Sequence, residues 1–181
     1  MAHAPGTVFN YSGGDTNLLG QVLREVTGKT VAEYADEVFF APLGIEAVTW
    51  ETFDNGLECV SGSMHLTPRQ MAKLGFVFIN GGFWNNNSVV SPEWIERATQ
   101  THIRTGYSET GVQGYGFQWW TTTFRAGNHS IDSFIARGWG GQRIIGMPEL
   151  NMVTVFTGAD YSYEYSVAPE MLMTYILDAA L

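Results

Sequence analysis

The sequence predicts an α+β fold, with a helical subdomain followed by an antiparallel three-strand meander and a C-terminal helix. Apolar residues recur at helical spacing up to residue 105, whereas glycine, aromatic and β-branched residues dominate the chain beyond it. Helices and strands that follow one another in separate blocks are typical of this fold class. We therefore expect a helical subdomain over residues 1–105, and a sheet with its C-terminal helix over residues 106–181.

The composition is that of a folded chain about one domain in size. The 181 residues are 45% hydrophobic and 14% aromatic, which excludes a disordered chain. The formal net charge is -9, and the two lysines, Lys29 and Lys73, form no basic cluster, so a nucleic-acid partner is not expected. No apolar run approaches the roughly 18 residues of a membrane span, and the N-terminus has no signal-peptide pattern. The sequence assigns no compartment.

Two helices are predicted near the start of the chain. The first would begin at Asp15 or Thr16 and end at Gly28, a residue typical of helix C-caps. Its buried face would consist of apolar residues at helical spacing: Leu18, Leu19, Val22, Leu23 and Val26. Thr30 would cap the second helix, which would end before Pro42 and turn Val31, Tyr34, Ala35 and Val38 inward.

Two further helices are predicted where a capping residue precedes proline, at Thr67-Pro68 and at Ser91-Pro92. The residues expected to face inward are Met71, Leu74 and Phe78 in the first, and Trp94, Ile95 and Ala98 in the second. Asn80-Gly81-Gly82 would end the first of them in a turn, and Asn85-Asn86-Asn87 would form a loop.

The three expected strands are Gly114–Thr123, Ser133–Met147 and Met152–Thr157, the last two joined by a turn at Pro148–Asn151. The C-terminal helix, Val167–Leu181, would bury Met171, Tyr175, Ile176 and Ala179. That helix would cover one face of the sheet. The other face and at least one edge would then require partners.

Tyr11, followed by Ser12 and Gly13, is the first candidate for chemistry. A phenol at a loop–helix junction can act as a general base when nearby cations lower its pKa. The alternative interpretation is a half-buried tyrosine beside a helix-capping serine.

The second candidate is the segment from Arg137 to Gln142, in which Gly138, Gly140 and Gly141 surround Trp139. Glycines weaken a strand, and this cost is explained if a substrate or another backbone must approach closely. A backbone N–H in such a segment could face an oxyanion. The alternative interpretation is a bulge with a packed tryptophan.

Other nucleophile and metal signals are weak. Cys59 and His65 are a conceivable nucleophile pair, although a small buried cysteine is the stronger interpretation. His3, His65, His102 and His129 lack metal-ligand spacing, so neither a metal nor another cofactor is expected. The sequence contains no G-x-S-x-G motif.

An ordered set of short motifs extends from Pro5 to about Gly158. The motifs are Pro5–Gly13, Asn17–Gly20, Val26–Lys29, Phe40–Ile45, Ser61–Gly75, Asn80–Gly82 and Trp139–Gly141. Together they resemble the serine β-lactamase-like hydrolases, which include class C β-lactamases, penicillin-binding D,D-peptidases, family VIII carboxylesterases and 6-aminohexanoate-dimer hydrolases. Trp139-Gly140-Gly141 resembles the W-G-G that family VIII esterases carry in place of K-T-G.

This resemblance implies a β-lactamase-like α/β sandwich and acyl-enzyme chemistry. In the family, the serine of an S-x-x-K motif attacks a carbonyl while the lysine and a tyrosine relay its proton. The resemblance places that tyrosine at Tyr11, one oxyanion-binding N–H at Gly141 or Gln142, and a wall of the acyl pocket at Trp139.

Two departures from the family pattern bear on the substrate. Gly13 stands where the family's tyrosine motif has asparagine, and Trp139 stands where β-lactamases have lysine. Arg137 is a candidate to replace that cation. Both departures favour an esterase or a small-amide hydrolase, with a small ester or amide as substrate, over an efficient β-lactamase. A β-lactamase or D,D-peptidase is the alternative interpretation.

The attacking serine of S-x-x-K is not found in this sequence. The residues three positions before Lys29 and Lys73 are Val26 and Gln70, and neither can attack a carbonyl. We therefore expect the nucleophile on an N-terminal segment upstream, the chain to be the C-terminal portion of a hydrolase, and the chain alone to be inactive. The alternative is a non-catalytic fragment or pseudo-enzyme that binds or assembles, including with a second copy of itself.

Overall fold

The computed structural model describes residues 3–106, 112–161 and 167–181, which divide into two units. We call Asn10–Gln70 the helical unit, and Met1–Phe9 together with Met71–Leu181 the sheet unit. The expected boundary between residues 105 and 106 follows a change in composition and stays a prediction.

The helical unit opens with helix α1, Gly13–Thr27. Its N-cap is Ser12 and not Asp15 or Thr16, because Ser12 has an extended backbone and its hydroxyl accepts the Asp15 N–H. Gly28 ends the helix in the left-handed conformation, as the sequence predicts.

The apolar face of α1 differs from the expectation, because none of the helix's residues is buried. Leu18, Leu19 and Val22 are each more than half exposed, and Val26 is 80% exposed. The apolar periodicity is present, but the described part of the chain does not cover it.

Thr30 caps the next helix, as predicted, in a reciprocal capping box with Glu33. Helix α2, Val31–Ala35, continues as a π-helix, Asp36–Phe40, and a 3₁₀ turn, Ala41–Leu43. The wider π turn buries Phe40 and leaves Val38 exposed, which corrects the expected inward position of Val38.

Short strands β1, Thr49–Trp50, and β2, Met64–His65, pair antiparallel in the helical unit. Helix α3, Pro68–Ile79, follows, with the Thr67 hydroxyl accepting the Gln70 N–H at its start.

A tight hairpin and helix α4 come next in the sheet unit. Strands β3, Phe83–Trp84, and β4, Asn87–Ser88, are joined by Asn85 and Asn86, both at positive φ, so the expected loop is a two-residue turn. Helix α4, Pro92–Thr99, is capped by Ser91 as predicted, and Ile95 and Ala98 are buried, whereas Trp94 is 49% exposed.

The sheet confirms the fold class but has, within the described ranges, six strands and not three. The strands pair antiparallel, each with its neighbour in sequence: β5 Ile103–Arg104, β6 Val112–Tyr115, β7 Trp120–Ala126, β8 His129–Gly138, β9 Gln142–Met147 and β10 Met152–Phe156. The expected strand Ser133–Met147 is two strands, because the chain reverses at Trp139–Gly141. The expected strand Gly114–Thr123 likewise spans β6, a turn and β7.

The C-terminal helix packs on one face of the sheet, against Trp120, Ile135 and Ile145 among others. It consists of α5 Val167–Met171, a π-helix Leu172–Leu177 and α6 Asp178–Ala180. Ala168, Leu172 and Leu177 are buried, and Ile176 of the expected set packs partly buried against the same core, whereas Met171, Tyr175 and Ala179 are exposed. The backbone hydrogen bonds of a π-helix join residues five apart, so its turn is wider than that of an α-helix and the buried face changes.

The other face of the sheet also has a partner, which the sequence analysis did not assign. In α3, a Cβ added at Gly75 would lie 2.6 Å from Val153 and 2.8 Å from Ile144, so the helix backbone approaches β9 and β10 closely. The Phe78 and Phe134 rings also pack there, with centroids 5.9 Å apart. Within the described ranges, no helix is long and apolar enough to cross a bilayer.

Candidate active site

Tyr11 lies immediately before the N-cap of α1, and its side chain is 49% exposed. The hydroxyl of Ser12 accepts the Asp15 N–H at 3.4 Å, so Ser12 serves as the helix cap. The local fold therefore places the Tyr11 phenol at a loop–helix junction, as the sequence predicts.

Gly13 begins α1 next to Ser61. A Cβ at Gly13 would lie 3.2 Å from both Cβ and Oγ of Ser61, and the Ser61 N–H donates to Asn17 Oδ1 at 3.0 Å. The Ser61 segment is thus tied to the first turns of α1. A side chain at position 13 would require Ser61 to shift by a few tenths of an ångström, so the glycine allows the close contact seen here.

The Trp139 turn, which we define as Gly138–Gln142, has a shape that glycine alone adopts readily. Gly140 and Gly141 have φ of 74° and 92°, and a Cβ at Gly140 would lie 2.7 Å from Tyr161 Cε1. Trp139 is 67% exposed and packs edge-on against Tyr161, with ring centroids 4.9 Å apart. Exposed tryptophan and left-handed glycines favour the functional interpretation of this segment over a packed bulge.

Arg143 stabilises the Trp139 turn through hydrogen bonds. The sequence did not predict this role. Its buried guanidinium donates from Nη1 to the carbonyls of Gly138 and Gln142, at 3.1 and 2.8 Å. The Asp160 N–H donates to the Gly140 carbonyl at 3.2 Å. The available signal was a charged residue at the head of the apolar run Ile144–Met147.

Gln142 fastens the same turn to the segment after β10. Its amide nitrogen donates to the Gly158 carbonyl, and its amide oxygen accepts the Gly158 N–H at 3.3 Å. The side chain therefore pairs with Gly158 as a neighbouring strand would, which fixes the position of the backbone at Gly141 and Gln142.

Two arginines make the neighbourhood of the turn electropositive. Arg137 lies opposite Arg143 in the β8–β9 register. Its guanidinium carbon is 5.2 Å from the centre of the Trp120 ring, a cation–π contact. Phe9 and Tyr115 pack around Trp120, with ring centroids 5.8 and 4.9 Å away. This charge suits an oxyanion or a substrate carboxylate.

Cys59 and His65 have different neighbours. The Cys59 sulfur lies 3.6 Å from the Ser61 hydroxyl, whereas His65 Nε2 lies 3.4 Å from Glu51 Oε1. Among the residues that the structure describes, no three His, Cys, Asp or Glu side chains are placed to hold a metal ion.

The candidate residues are divided between the two units. Tyr11, Ser12 and Gly13 belong to the helical unit, whereas Arg137 and the residues of the Trp139 turn belong to the sheet unit. That the two groups act in one site is what the family resemblance implies, and it stays a prediction.

Comparison with known proteins identifies relatives over most of the chain. A 6-aminohexanoate-dimer hydrolase from Paenarthrobacter ureafaciens is 27% identical over 129 residues, which are 67% of this chain and 33% of that protein. A provisionally assigned 6-aminohexanoate-dimer hydrolase from Bacillus anthracis superposes with a TM-score of 0.78 at 24% identity, covering 99% of this chain and 45% of that one. For a D-amino acid amidase from Ochrobactrum anthropi the TM-score is 0.69 at 15% identity, with 98% and 60% covered.

The chain thus spans a third of the first relative and less than half of the second. The family model described as Beta-lactamase matches residues 1–158. Because this match includes the tyrosine motif and the Trp139 turn and extends over most of the sequence, the chain belongs to the beta-lactamase family.

Proposed function

We propose that this chain forms part of the active site of a serine hydrolase that cleaves small esters or amides through an acyl-enzyme. The observation that carries the proposal is the Trp139 turn, in which two left-handed glycines are held by Arg143, Gln142 and Asp160. At Gly141 an added Cβ would meet nothing closer than Gly158 Cα at 3.9 Å, so a substrate has room to approach the backbone there.

Each residue then has a defined role. A serine on polypeptide outside these 181 residues attacks the carbonyl. Tyr11 accepts the proton of the serine hydroxyl and donates it to the leaving alcohol or amine. The new C–O bond and the broken ester or amide bond leave an acyl-serine, which water hydrolyses. The N–H of Gly141 or Gln142 stabilises the oxyanion, and Trp139 forms one wall of the acyl pocket.

The substrate class follows from two residues and from the relatives. Gly13 offers no side-chain amide, and Trp139 offers no cation for a substrate carboxylate. The relative named as a 6-aminohexanoate-dimer hydrolase supports an amide as substrate.

Hydrolysis of p-nitrophenyl acetate and butyrate tests the proposal. We expect no turnover from the 181-residue chain, and turnover when it is produced together with the polypeptide encoded upstream. Because general acid–base catalysis contributes about 10²–10⁴-fold, Tyr11→Phe should reduce kcat by that order. Tyr175→Phe, at a tyrosine 69% exposed on the C-terminal helix, is the matched control.

If Tyr11→Phe does not change the turnover measured in the presence of the upstream polypeptide, Tyr11 has no part in the mechanism. Turnover by the 181-residue chain alone would show that the nucleophile lies within it.

A second candidate function, a binding or assembly module, is favoured by the uncovered apolar face of α1. It predicts that the chain associates with a second copy even when the upstream segment is supplied. A monomer on size-exclusion chromatography in the presence of that segment would contradict it.

A further inference from the structure

Tyr161 places a second exposed aromatic ring beside the Trp139 turn. The two rings meet at an angle of 65° with their centroids 4.9 Å apart, and the residues are 67% exposed at Trp139 and 54% exposed at Tyr161. Because the edge of one ring meets the face of the other, each ring keeps a face that its partner does not cover. The two rings therefore form the walls of a corner, which we call the aromatic corner.

The backbone around Tyr161 is fastened to the Trp139 turn. One residue before Tyr161, the Asp160 N–H donates to the Gly140 carbonyl at 3.2 Å, and the Gly158 N–H donates to the Gln142 amide oxygen at 3.3 Å. The Tyr161 ring lies against Gly140, where an added Cβ would be 2.7 Å from its Cε1. The aromatic corner is thus formed before a ligand arrives, which lowers the entropic cost of binding.

The charges near the aromatic corner favour an uncharged apolar ligand group. Exposed aromatic faces can bind either apolar groups or cations. Arg137, however, lies two residues before Trp139 in β8, and the Arg143 guanidinium donates to the Gly138 carbonyl within the turn. Two positive charges this close to the corner oppose a third. An apolar group without charge is therefore the better occupant.

We propose that Tyr161 is a specificity-determining residue, which together with Trp139 binds an uncharged acyl group about the size of a phenyl ring. The inference rests on the proposed function, in which Trp139 forms one wall of the acyl pocket, and it supplies a second wall. A phenyl group can contact both rings at once, because the rings touch each other, whereas an acetyl group is too small to cover both. The substrate class is thereby narrowed to esters and amides of apolar acids larger than acetic acid.

Binding of small probes to the 181-residue protein tests this proposal without requiring turnover. Phenylacetamide should bind at millimolar concentration, detected by NMR as shifts of the Trp139 indole N–H and the Tyr161 ring protons. Acetamide, which lacks the phenyl ring, should cause no such shifts. Benzyltrimethylammonium, which combines the ring with a positive charge, should bind more weakly than phenylacetamide. Equal or tighter binding of this cation, or no shift with phenylacetamide, would overturn the proposal.

Variants at Tyr161 separate the contribution of the ring from that of the hydroxyl. Tyr161→Ala should weaken phenylacetamide binding about fivefold, the size of one aromatic contact, whereas Tyr161→Phe should bind as the wild type does. Tyr175→Ala, at a tyrosine 69% exposed on the C-terminal helix, is the matched control and should leave the affinity unchanged. A folded Tyr161→Ala protein with wild-type affinity would contradict the role assigned to Tyr161.

Turnover in the presence of the upstream polypeptide gives a second measurement. Tyr161→Ala should lower the ratio of kcat/KM for p-nitrophenyl phenylacetate to that for p-nitrophenyl acetate about fivefold. The change should lie mainly in KM, because the ring contacts the acyl group in the ground state and in the transition state alike. Absence of turnover would contradict the proposed function, and the probe titrations would still decide this inference. Turnover with a ratio that Tyr161→Ala leaves unchanged would contradict this inference alone.

Discussion

Arg143 is 8% exposed and lies at the start of β9, where its guanidinium donates to the carbonyls of Gly138 and Gln142. A buried charge is tolerated when backbone dipoles solvate it, and here those dipoles belong to the Trp139 turn. The residue therefore connects the stability of the sheet unit to the shape of the proposed oxyanion site.

Replacing Arg143 by methionine should destabilise the protein by about 1–3 kcal/mol, because two carbonyls lose a charged donor. Urea unfolding followed by circular dichroism measures the change. Arg125→Met, at an exposed position of β7, is the control and should stay within about 0.5 kcal/mol of the wild type. Equal stability of the two variants would contradict the role assigned to Arg143.

Glu33 is a second single residue for which we predict an effect, here on the pH dependence of stability. Its pKa is lowered from the ordinary glutamate value, first because its carboxylate accepts the Thr30 backbone N–H and second because of the Thr30 hydroxyl. A lowered pKa in the folded state means that the carboxylate form stabilises the fold. This contribution is complete above the unfolded pKa of about 4.3 and is lost as the pH falls through the folded value.

Melting temperatures of the wild type and Glu33→Gln should therefore differ most near neutral pH and converge in acid. Thermal unfolding across this pH range measures the difference, with Glu25→Gln as the control for removing an exposed carboxylate. A difference that does not change with pH would show that the Glu33 charge does not matter.

At the scale of elements, π-helical turns decide which residues of two helices are buried. Asp36–Phe40 buries Phe40, and Leu172–Leu177 brings its two end residues inward. Apolar spacing of three and four residues predicts the helices but gives the wrong inward positions after such a turn. The helices were thus predictable as elements, whereas their buried faces were not.

The contact between α3 and the sheet depends on the missing side chain of Gly75. Gly75→Ala should destabilise the protein, because about 1–3 kcal/mol of overpacking against Val153 and Ile144 exceeds the ~1 kcal/mol gain in helix propensity. Gly14→Ala is the matched control, since its Cβ would lie at an ordinary 3.4 Å from Ser12 Oγ. Urea unfolding compares the two, and a Gly75→Ala protein as stable as Gly14→Ala would contradict this packing.

At the scale of the whole molecule, apolar surface remains uncovered on α1 while the chain spans a third of its Paenarthrobacter relative. Exposed apolar surface of this kind favours association. Among the residues that the structure describes, none covers this face, which is therefore exposed to solvent.

The 181-residue chain should therefore associate at high concentration, and the double substitution Leu19→Ser with Val22→Ser should reduce this association. Light scattering after size-exclusion chromatography measures the mass. Met171→Ser, which removes an exposed apolar side chain from the C-terminal helix, should leave the association unchanged. A wild-type chain that stays monomeric at every concentration would contradict the expectation.

Sequence by itself determined the features that depend on neighbouring residues. The capping box of Thr30, the left-handed Gly28 and the caps at Thr67 and Ser91 were predictable because each requires contacts within a few positions. The motifs around Tyr11 and Trp139 likewise predicted the family that the comparisons confirm.

Tertiary structure alone decided how distant segments meet. The six-strand sheet and the packing of α3 at Gly75 bring together residues that are far apart in the sequence. The hydrogen bonds of Arg143 to the Trp139 turn form because the chain reverses there. Local propensity carries no information on such contacts, because their free energy comes from burying surfaces and satisfying carbonyls that exist only once the chain is folded.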